Sequence, residues 1–342
     1  MAITIPPGVR LTDGVWDRDQ RPLYFFAGGQ HYGQIQDEIP EFKFQPCLVA
    51  VNDFAEPGRP ISQRQIEAWL LPLLDAGIPV FLDSGVFWLT NRHKRAHDMT
   101  MDAALSLHPD EVDDFDWLFD TYVEMCLTYR DRLWGYNELD QGGKTRKVET
   151  RGRLEALGLN PIPVYHPLND GWDYFDDLAS SYDRMCWGNV VQAHNSARVR
   201  MVRTLAERHR KYPYLWVHLL GLTPNELVAG EPFDSADSSS WLSVWRYTHA
   251  SKERSLGKNV TTMGKPWWYL RTRAESLDEE DADPNGERAH ATHEKAAAMS
   301  NTTFSVNLMN MQHWRHRLIE EIGQPFDYPP LLDEETEPCP GP

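Results

Sequence analysis

The sequence predicts an α/β protein, a (β/α)8 barrel of the TIM type that continues into a C-terminal extension of helices and loops. Eight short apolar runs recur along the chain, and segments with helical periodicity lie between them. Alternating strands and helices favour parallel pairing with right-handed crossovers, and a count near eight favours closure into a barrel. An open doubly wound sheet is the alternative architecture.

The predicted strands begin after turn residues and stop at polar ones. In chain order they cover residues 23–27, 47–51, 79–83, 133–139, 161–165, 185–191, 215–220 and 232–237. The last run has the weakest signal. Two of the intervening helices have clear end signals. Ser62 caps the first and Gly77 ends it, whereas Pro109–Glu111 opens the second, whose apolar stripe covers 112–126.

Composition divides the chain into three parts. We expect residues 1–242 to form the barrel core, 243–330 a basic and aromatic extension with a closing helix at 309–322, and 331–342 a disordered tail. No apolar run approaches the ~20 residues that cross a bilayer, and the first residues do not resemble a signal peptide. These observations favour a cytoplasmic protein without membrane contact.

The formal charge of −17 counts against general binding to nucleic acid. Residues 246–273 are a local exception, because basic side chains are interleaved there with aromatic ones. In nucleic-acid-binding proteins such basic side chains contact phosphates, and the aromatic rings stack on unpaired bases. The residues expected to bind nucleic acid are Lys252, Arg254, Lys258, Lys265, Trp267, Trp268, Arg271 and Arg273. The alternative is a solvated loop held by buried tryptophans.

Barrel enzymes place their active sites at the carboxyl ends of the strands, so polar residues there carry most weight. Asp83 ends the third run, Glu138 and Asp140 end the fourth, and His166 ends the fifth. Two carboxylates that face one site fit chemistry at a glycosidic carbon, where one attacks and the other handles the proton. The alternative for any such aspartate is that it only caps the following helix.

The eighth run contains Asp234 and Asp237, which are at alternate registers, so only one of them can face the mouth of the barrel. Residues 238–241 place hydroxyl groups and an aromatic ring beside Asp237, which favours a functional role for it. His218, within an apolar run, is expected to be a hydrogen-bonded core histidine.

Metal binding is not expected. The cysteines show no CxxC spacing. The pairs His290–His293 and His313–His316 have HxxH spacing but no third ligand, so we expect them to be solvated.

Four segments in a fixed order resemble a known family. They are FLDSG at Asp83, the strand-final Asp140, HLLGLTPNEL at 218–227 and FDSADSSSW at 233–241. Together they resemble the tRNA-guanine transglycosylases, and more closely the shorter phage-type branch related to the 7-deazaguanine DNA transglycosylases. The resemblance covers roughly residues 23–241.

The resemblance implies exchange of guanine for a 7-deazaguanine such as preQ0 through a covalent aspartyl intermediate, with no cofactor. It implies that Asp237 is the nucleophile, that Asp83 is the general acid and base, and that Asp140 reads the edge of the heterocycle. An equally short match, FDSA, selects Asp234 as nucleophile instead. The complete set expected to bind substrate is Asp140, Ser84, Gly85, His166, Gly188, Gly221 and Trp241.

Two departures from the family pattern bear on the substrate. The CxC…CxxC…H zinc site of the tRNA enzymes is missing, and the DSGGFQ segment is DSGVFW here. We therefore expect DNA rather than tRNA as the partner, in the host cytoplasm if a phage encodes the protein, with a homodimer or an accessory protein as further partners. The alternatives are a barrel hydrolase of glycosidic or nucleosidic bonds with the same carboxylates, and a non-enzymatic binding module.

Overall fold

The computed structural model describes residues 4–17, 23–28, 46–193, 195–222 and 234–239. Its centre is an all-parallel eight-stranded sheet with strand order β4-β3-β2-β1-β8-β7-β6-β5. The strands are β1 (Leu23–Ala27), β2 (Cys47–Ala50), β3 (Val80–Asp83), β4 (Gly135–Tyr136), β5 (Val164–Tyr165), β6 (Arg184–Trp187), β7 (Trp216–Leu219) and β8 (Ser235–Ser238). Each overlaps one predicted run.

The sheet curls until its two edge strands meet. A parallel bridge joins Asn137, directly after β4, to Ile162, just before β5. The amide of Ile162 donates to the carbonyl of Tyr136 at 2.8 Å, and the amide of Glu138 donates to the carbonyl of Ile162 at 2.9 Å. The fold is therefore α/β and TIM-barrel-like, as the alternation of strands and helices predicted.

Helices connect the consecutive strands from β2 to β7. They are α1, which consists of Gln63–Gln65, the π-helical Ile66–Leu70 and Leu71–Asp75, then α2 (Val86–Ala96), α3 (Met101–Ser106), α4 (Phe115–Tyr129), α5 (Gly143–Ala156), α6 (Trp172–Ser181) and α7 (Asn195–His209). Short 3-10 turns occupy Val51–Asp53, Pro109–Glu111 and Val190–Gln192. Within the described ranges no helix is both long enough and apolar enough to span a membrane.

The predicted ends of α1 are confirmed. The Oγ atom of Ser62 accepts a hydrogen bond from the amide of Gln65 at 3.4 Å, which is the expected N-cap contact. The helix ends at Asp75, and Gly77 follows with a φ of +68°, a left-handed conformation that glycine adopts without strain.

The predicted start of α4 is wrong. Pro109–Glu111 forms a separate 3-10 turn, closed by a capping box between His108 and Glu111. The next residue, Val112, is extended, and Asp114 is left-handed with a φ of +62°, so the helix cannot continue through them. The helix begins at Phe115 instead, because the capping contacts of His108 and Glu111 end the Pro109–Glu111 turn before the apolar stripe begins.

Two apolar clusters lie on opposite faces of the sheet. The outer one packs the strands against the helices and includes Tyr24, Val49, Leu82 and Leu118. The inner cluster consists of side chains on the concave face, namely Leu23, Phe25, Ala27, Leu48, Phe81, Trp134, Ile162, Val164, Cys186 and Trp216. The concave face is therefore filled by packed side chains, as in barrels of this type.

Arg184, the first residue of β6, fills the amino-terminal end of this inner space and is fully buried. Its guanidinium group lies over the rings of Trp16 and Trp134, 4.7 and 5.0 Å from their centroids. It also donates to Oγ1 of Thr12 at 2.6 Å and to the carbonyl of Trp134 at 2.7 Å. Burial lowers the pKa of Arg184 to about 10. The N-terminal segment thus covers this end of the sheet.

Candidate active site

A layer of polar residues and glycines follows the inner cluster at the carboxyl ends of the strands. Side chains alternate between the faces of a strand, so residues two apart share a face. Four residues of this layer come two positions after a member of the inner cluster, so they share its face. They are Asp83 after Phe81, His166 after Val164, Gly188 after Cys186 and His218 after Trp216. In β8 the same alternation places Ser235 and Asp237 on the inner face.

Three of the predicted carboxylates form one electrostatic group here. Asp83 ends β3, Asp140 follows β4, and Asp237 is in β8. Burial raises the pKa of Asp83 to about 7, and the negative charges of Asp140 and Asp237 both contribute to this rise. Asp83 can therefore both hold and release a proton near neutral pH, a property that suits an acid–base catalyst.

Both carboxylate oxygens of Asp83 accept hydrogen bonds. Oδ1 accepts from Nδ2 of Asn137 at 3.0 Å, and Oδ2 accepts from the amide of Gly85 at 3.1 Å. These bonds lower the pKa of Asp83 and offset part of the rise. Asn137 also accepts from the amide of Ser84 at 2.9 Å, so a single amide side chain holds the carboxylate and the turn that follows it.

Gly85 makes this turn possible. Its φ is +79°, and a Cβ atom at this position would lie 3.2 Å from Oδ1 of Asn52, in the 3-10 turn after β2. The backbone conformation disfavours any other residue. The turn places the amide of Gly85 against Asp83 and starts α2 directly afterwards.

Asp237 is 6% exposed, and its Oδ1 atom accepts two hydrogen bonds. One comes from the amide of Gly221 at 2.9 Å, and the other involves Nε2 of His218 at 3.2 Å. Gly221 is exposed and has a φ of +73°, which turns the chain after β7 so that its amide meets the carboxylate. The aspartate is thereby fixed at the end of the inner face.

The tautomer of His218 follows from its neighbours. The indole Nε1 of Trp216 can only donate, and it bonds Oγ of Ser235 at 2.8 Å. Oγ of Ser235 also lies 2.9 Å from Nδ1 of His218. The carboxylate Oδ1 of Asp237 is an acceptor, so Nε2 of His218 carries the proton, and in a neutral ring Nδ1 then accepts from the hydroxyl group of Ser235. His218 is a buried, hydrogen-bonded histidine, as expected, but one of its partners is the predicted nucleophile.

Asp140 is paired with His166. Its Oδ2 atom lies 2.8 Å from Nε2 of the imidazole. Burial raises the pKa of Asp140, but the hydrogen bond and the charge of His166, together with the charge of Lys147, outweigh burial and leave the pKa lowered. Asp140 is thus held ionised, whereas Asp83 titrates near neutrality. This difference separates the roles that two carboxylates can have in one site.

Gly188 provides the space for the imidazole of His166. A Cβ atom at this position would lie 2.8 Å from Cδ2 and 2.9 Å from Nε2 of that ring. Below the ring, the amide of His166 donates to Oδ2 of Asp170 at 2.8 Å, and Asp170 pairs with Nζ of Lys147 at 2.5 Å. Both charged side chains are buried, at 2% and 0% exposure.

Asp234 and Glu138 lie apart from this group. Oδ2 of Asp234 accepts from the amide of Val217 at 2.7 Å and lies 3.9 Å from Nε2 of His209 in α7, so it faces the helices. Glu138 accepts from the amide of Val164 at 2.7 Å and pairs with Arg151 of α5 at 2.9 Å. Both carboxylates link strands to helices.

Other predicted site residues lie outside the described residues. They are Trp241, Lys252, Arg254, Lys258, Lys265, Trp267, Trp268, Arg271 and Arg273, together with the histidine pairs at 290–293 and 313–316. The expected closing helix and tail lie there as well. Asn137 was missed by sequence reasoning, since it belongs to a run that reads as an ordinary apolar strand.

A comparison with models of known protein families and with curated proteins finds no match for this chain.

Proposed function

We propose that the chain is a 7-deazaguanine transglycosylase that exchanges guanine in nucleic acid, with DNA as the expected polymer, for a 7-deazaguanine such as preQ0. The observation that carries the proposal is the group formed by Asp83, Asp140 and Asp237, in which one carboxyl titrates near pH 7 and another is held ionised. The resemblance of the FLDSG and DSSSW segments supports the same assignment. In this proposal the sheet forms a closed (β/α)8 barrel with the target nucleoside at its mouth.

In the first step the carboxylate of Asp237 attacks C1′ of the target nucleotide. The bond from C1′ to the guanine nitrogen breaks, its electron pair leaves with the base, and protonated Asp83 gives its proton to that base. The product is a covalent ester between Asp237 and the sugar, with Asp83 now ionised. The target base has to leave the helical stack to reach this position.

In the second step the incoming 7-deazaguanine loses its ring N–H proton to the carboxylate of Asp83. The freed nitrogen attacks C1′, and the bond from C1′ to the oxygen of Asp237 breaks. Both aspartates return to their starting states, so the exchange needs no redox cofactor.

Asp140 is suited to recognise the base. Guanine and its 7-deaza relatives present N–H donors on one edge, and an ionised carboxylate is an acceptor. The bond to His166 at 2.8 Å uses Oδ2, which leaves acceptor capacity on Oδ1 for the base. The basic and aromatic residues in the C-terminal extension would bind the polymer, with a second copy of the chain or an accessory protein as further partners, and the reaction would take place in the cytoplasm.

The test is incorporation of labelled preQ0 or labelled guanine into DNA and, in parallel, into tRNA. The wild type should label DNA, and Asp237→Asn should lose activity by at least about 10⁴-fold, the scale for removal of a nucleophile. Asp131→Asn is the matched control, because that carboxylate is 96% exposed and precedes β4, whereas the proposed group lies at the opposite, carboxyl ends of the strands. Asp234→Asn should retain exchange in the folded fraction.

Each other outcome contradicts part of the proposal. Release of free guanine without incorporation would indicate a hydrolase that uses water as acceptor. Labelling of tRNA alone would overturn the DNA assignment. Full activity of Asp237→Asn with loss of activity in Asp234→Asn would exchange the roles of the two aspartates.

A further inference from the structure

A second cluster of ligating side chains lies away from the three carboxylates. His93 and His97 are in and directly after the last turn of α2, four residues apart, so they share one face of the helix. Asp113 comes from the segment between the Pro109–Glu111 turn and α4. One ligand atom of each side chain lies within 4.8 Å of the other two.

The contacts in this cluster converge on one carboxylate oxygen. Nδ1 of His93 lies 3.1 Å from Oδ2 of Asp113 and also 3.1 Å from the amide of that residue. Either a proton or a metal ion can bridge this imidazole nitrogen and the carboxylate oxygen. Oδ2 is also 2.8 Å from Nε2 of His97, which brings a second imidazole to the same point.

We propose that His93, His97 and Asp113 bind a divalent late first-row transition metal ion, of the zinc class, at the end of α2. Two imidazole nitrogens and one carboxylate oxygen are a donor set that such ions favour, with water in the remaining position. The metal takes the place of the Asp113 amide as partner of the Nδ1 lone pair.

The two distances to Oδ2 of Asp113 require only small adjustments, and the ligand atoms of the two imidazoles lie within 4.8 Å of each other. Tetrahedral zinc with bonds near 2.0–2.1 Å separates its ligand atoms by about 3.3 Å. The present separations of 2.8 and 3.1 Å therefore have to open by a few tenths of an ångström. His97 and Asp113 are 49% and 58% exposed and can move, whereas His93 is 6% exposed and serves as the fixed ligand.

The site has a structural role. α2 begins directly after the turn that holds Asp83 and runs for about 16 Å at 1.5 Å per residue, so the metal lies a helix length from the carboxylate group. The metal ion links the end of α2 to the segment before α4. The ion pair between Arg92 and Asp114, at 2.8 Å, already connects the same two parts of the chain. The inference is independent of base exchange, because metal binding is measured directly.

The experiment uses the full chain after removal of metal by a chelator. Co²⁺ is titrated and followed by its visible absorption, and thermal melting is recorded with and without Zn²⁺. His97→Ala and Asp113→Asn change exposed side chains and should fold. Asp120→Asn is the matched control, since that exposed carboxylate lies in the middle of α4, outside the three ligating side chains.

We expect the wild type and Asp120→Asn to bind one Co²⁺ more than either ligand variant, or to bind it at least about tenfold more tightly, because even loss of an outer-shell partner costs about 10–100-fold in metal affinity. Zn²⁺ should raise the melting temperature of the wild type and the control but not of the two variants. Because other histidines of the chain can bind metal, the difference between wild type and variants is the decisive quantity. Equal stoichiometry, affinity and zinc-dependent melting in all four proteins would overturn the inference, as would the absence of any metal effect on the wild type.

Discussion

Nε2 of His218 lies 3.2 Å from Oδ1 of Asp237, across the adjacent strands β7 and β8. The imidazole is itself fixed by Ser235 and by the rings of Phe25 and Phe81, at centroid distances of 5.5 and 4.7 Å. Oδ1 of the aspartate is therefore held by His218 and the backbone, and Oδ2 is the oxygen better placed to attack a substrate. In the proposed reaction His218 is a positioning residue.

His218→Phe should lower kcat for base exchange by about 10–100-fold, because the aspartate loses the contact that orients it and small misplacements are costly. KM for the incoming base should change little, since Asp140 and His166 are untouched. His218→Gln retains an N–H donor and should recover most of kcat. His209→Gln is the control, because that histidine bonds the carbonyl of Leu215 on the outer side. An unchanged kcat in His218→Phe would refute the positioning role.

The raised pKa of Asp83 makes stability depend on pH. Folding raises this pKa from 3.8 to about 7, so between these values the folded state keeps a proton that the unfolded state releases. The contribution of this group to stability is complete below about pH 4 and is lost as the pH rises to about 7. Asp83→Asn removes this dependence.

Relative to the wild type, the free energy of unfolding of Asp83→Asn should therefore increase by about 1–3 kcal/mol between pH 5 and pH 8, after allowance for partial solvent screening. Urea denaturation at the two pH values measures this change, with Asp131→Asn as a control that should show none. A difference between variant and wild type that does not vary with pH would contradict the assigned pKa.

Gly188→Ala should destabilise the protein by about 1–3 kcal/mol, the usual cost of an overpacked interior. Its Cβ atom would meet the ring of His166 at 2.8 Å, so the contact between that ring and Asp140 should weaken and KM for the incoming base should rise. Gly152→Ala provides the contrast, because Gly152 is inside α5 with open space around its Cβ position and should stabilise by about 0.5–1 kcal/mol. Equal changes in the free energy of unfolding for the two substitutions would contradict the prediction, because they would show that the chain shifts to remove the contact between the new Cβ atom and His166.

Lys147→Met should cost about 3–5 kcal/mol, because it leaves the carboxylate of Asp170 buried without its cation. The carbonyl of Val164 would also lose a donor at 2.9 Å. The double variant Lys147→Met/Asp170→Asn removes the unpaired charge and should recover part of the loss. Chemical denaturation of the two variants gives this comparison, and a double variant less stable than the single one would contradict the explanation.

The sequence located Asp83 and Asp140 because parallel strands bring their carboxyl ends to one edge, a rule that needs no coordinates. It favoured Asp237 over Asp234 as nucleophile only on short motifs. Which of the two side chains lies on the inner face depends on the orientation of β8, and the pairing of Ser235 with Trp216 defines that face. Asn137 was missed for a related reason, since its role arises only when β4 lies beside β3.

Arg184 and the tryptophans around it fill the amino-terminal end of the inner space, so a base bound beside Asp237 must arrive and depart at the opposite end. In the proposed reaction the outgoing guanine and the incoming 7-deazaguanine would share one opening, and the first would have to diffuse away before the second could enter. Exchange would then follow ping-pong kinetics. Double-reciprocal plots of rate against preQ0 at several DNA concentrations would give parallel lines, whereas intersecting lines would mean that both bases are bound together.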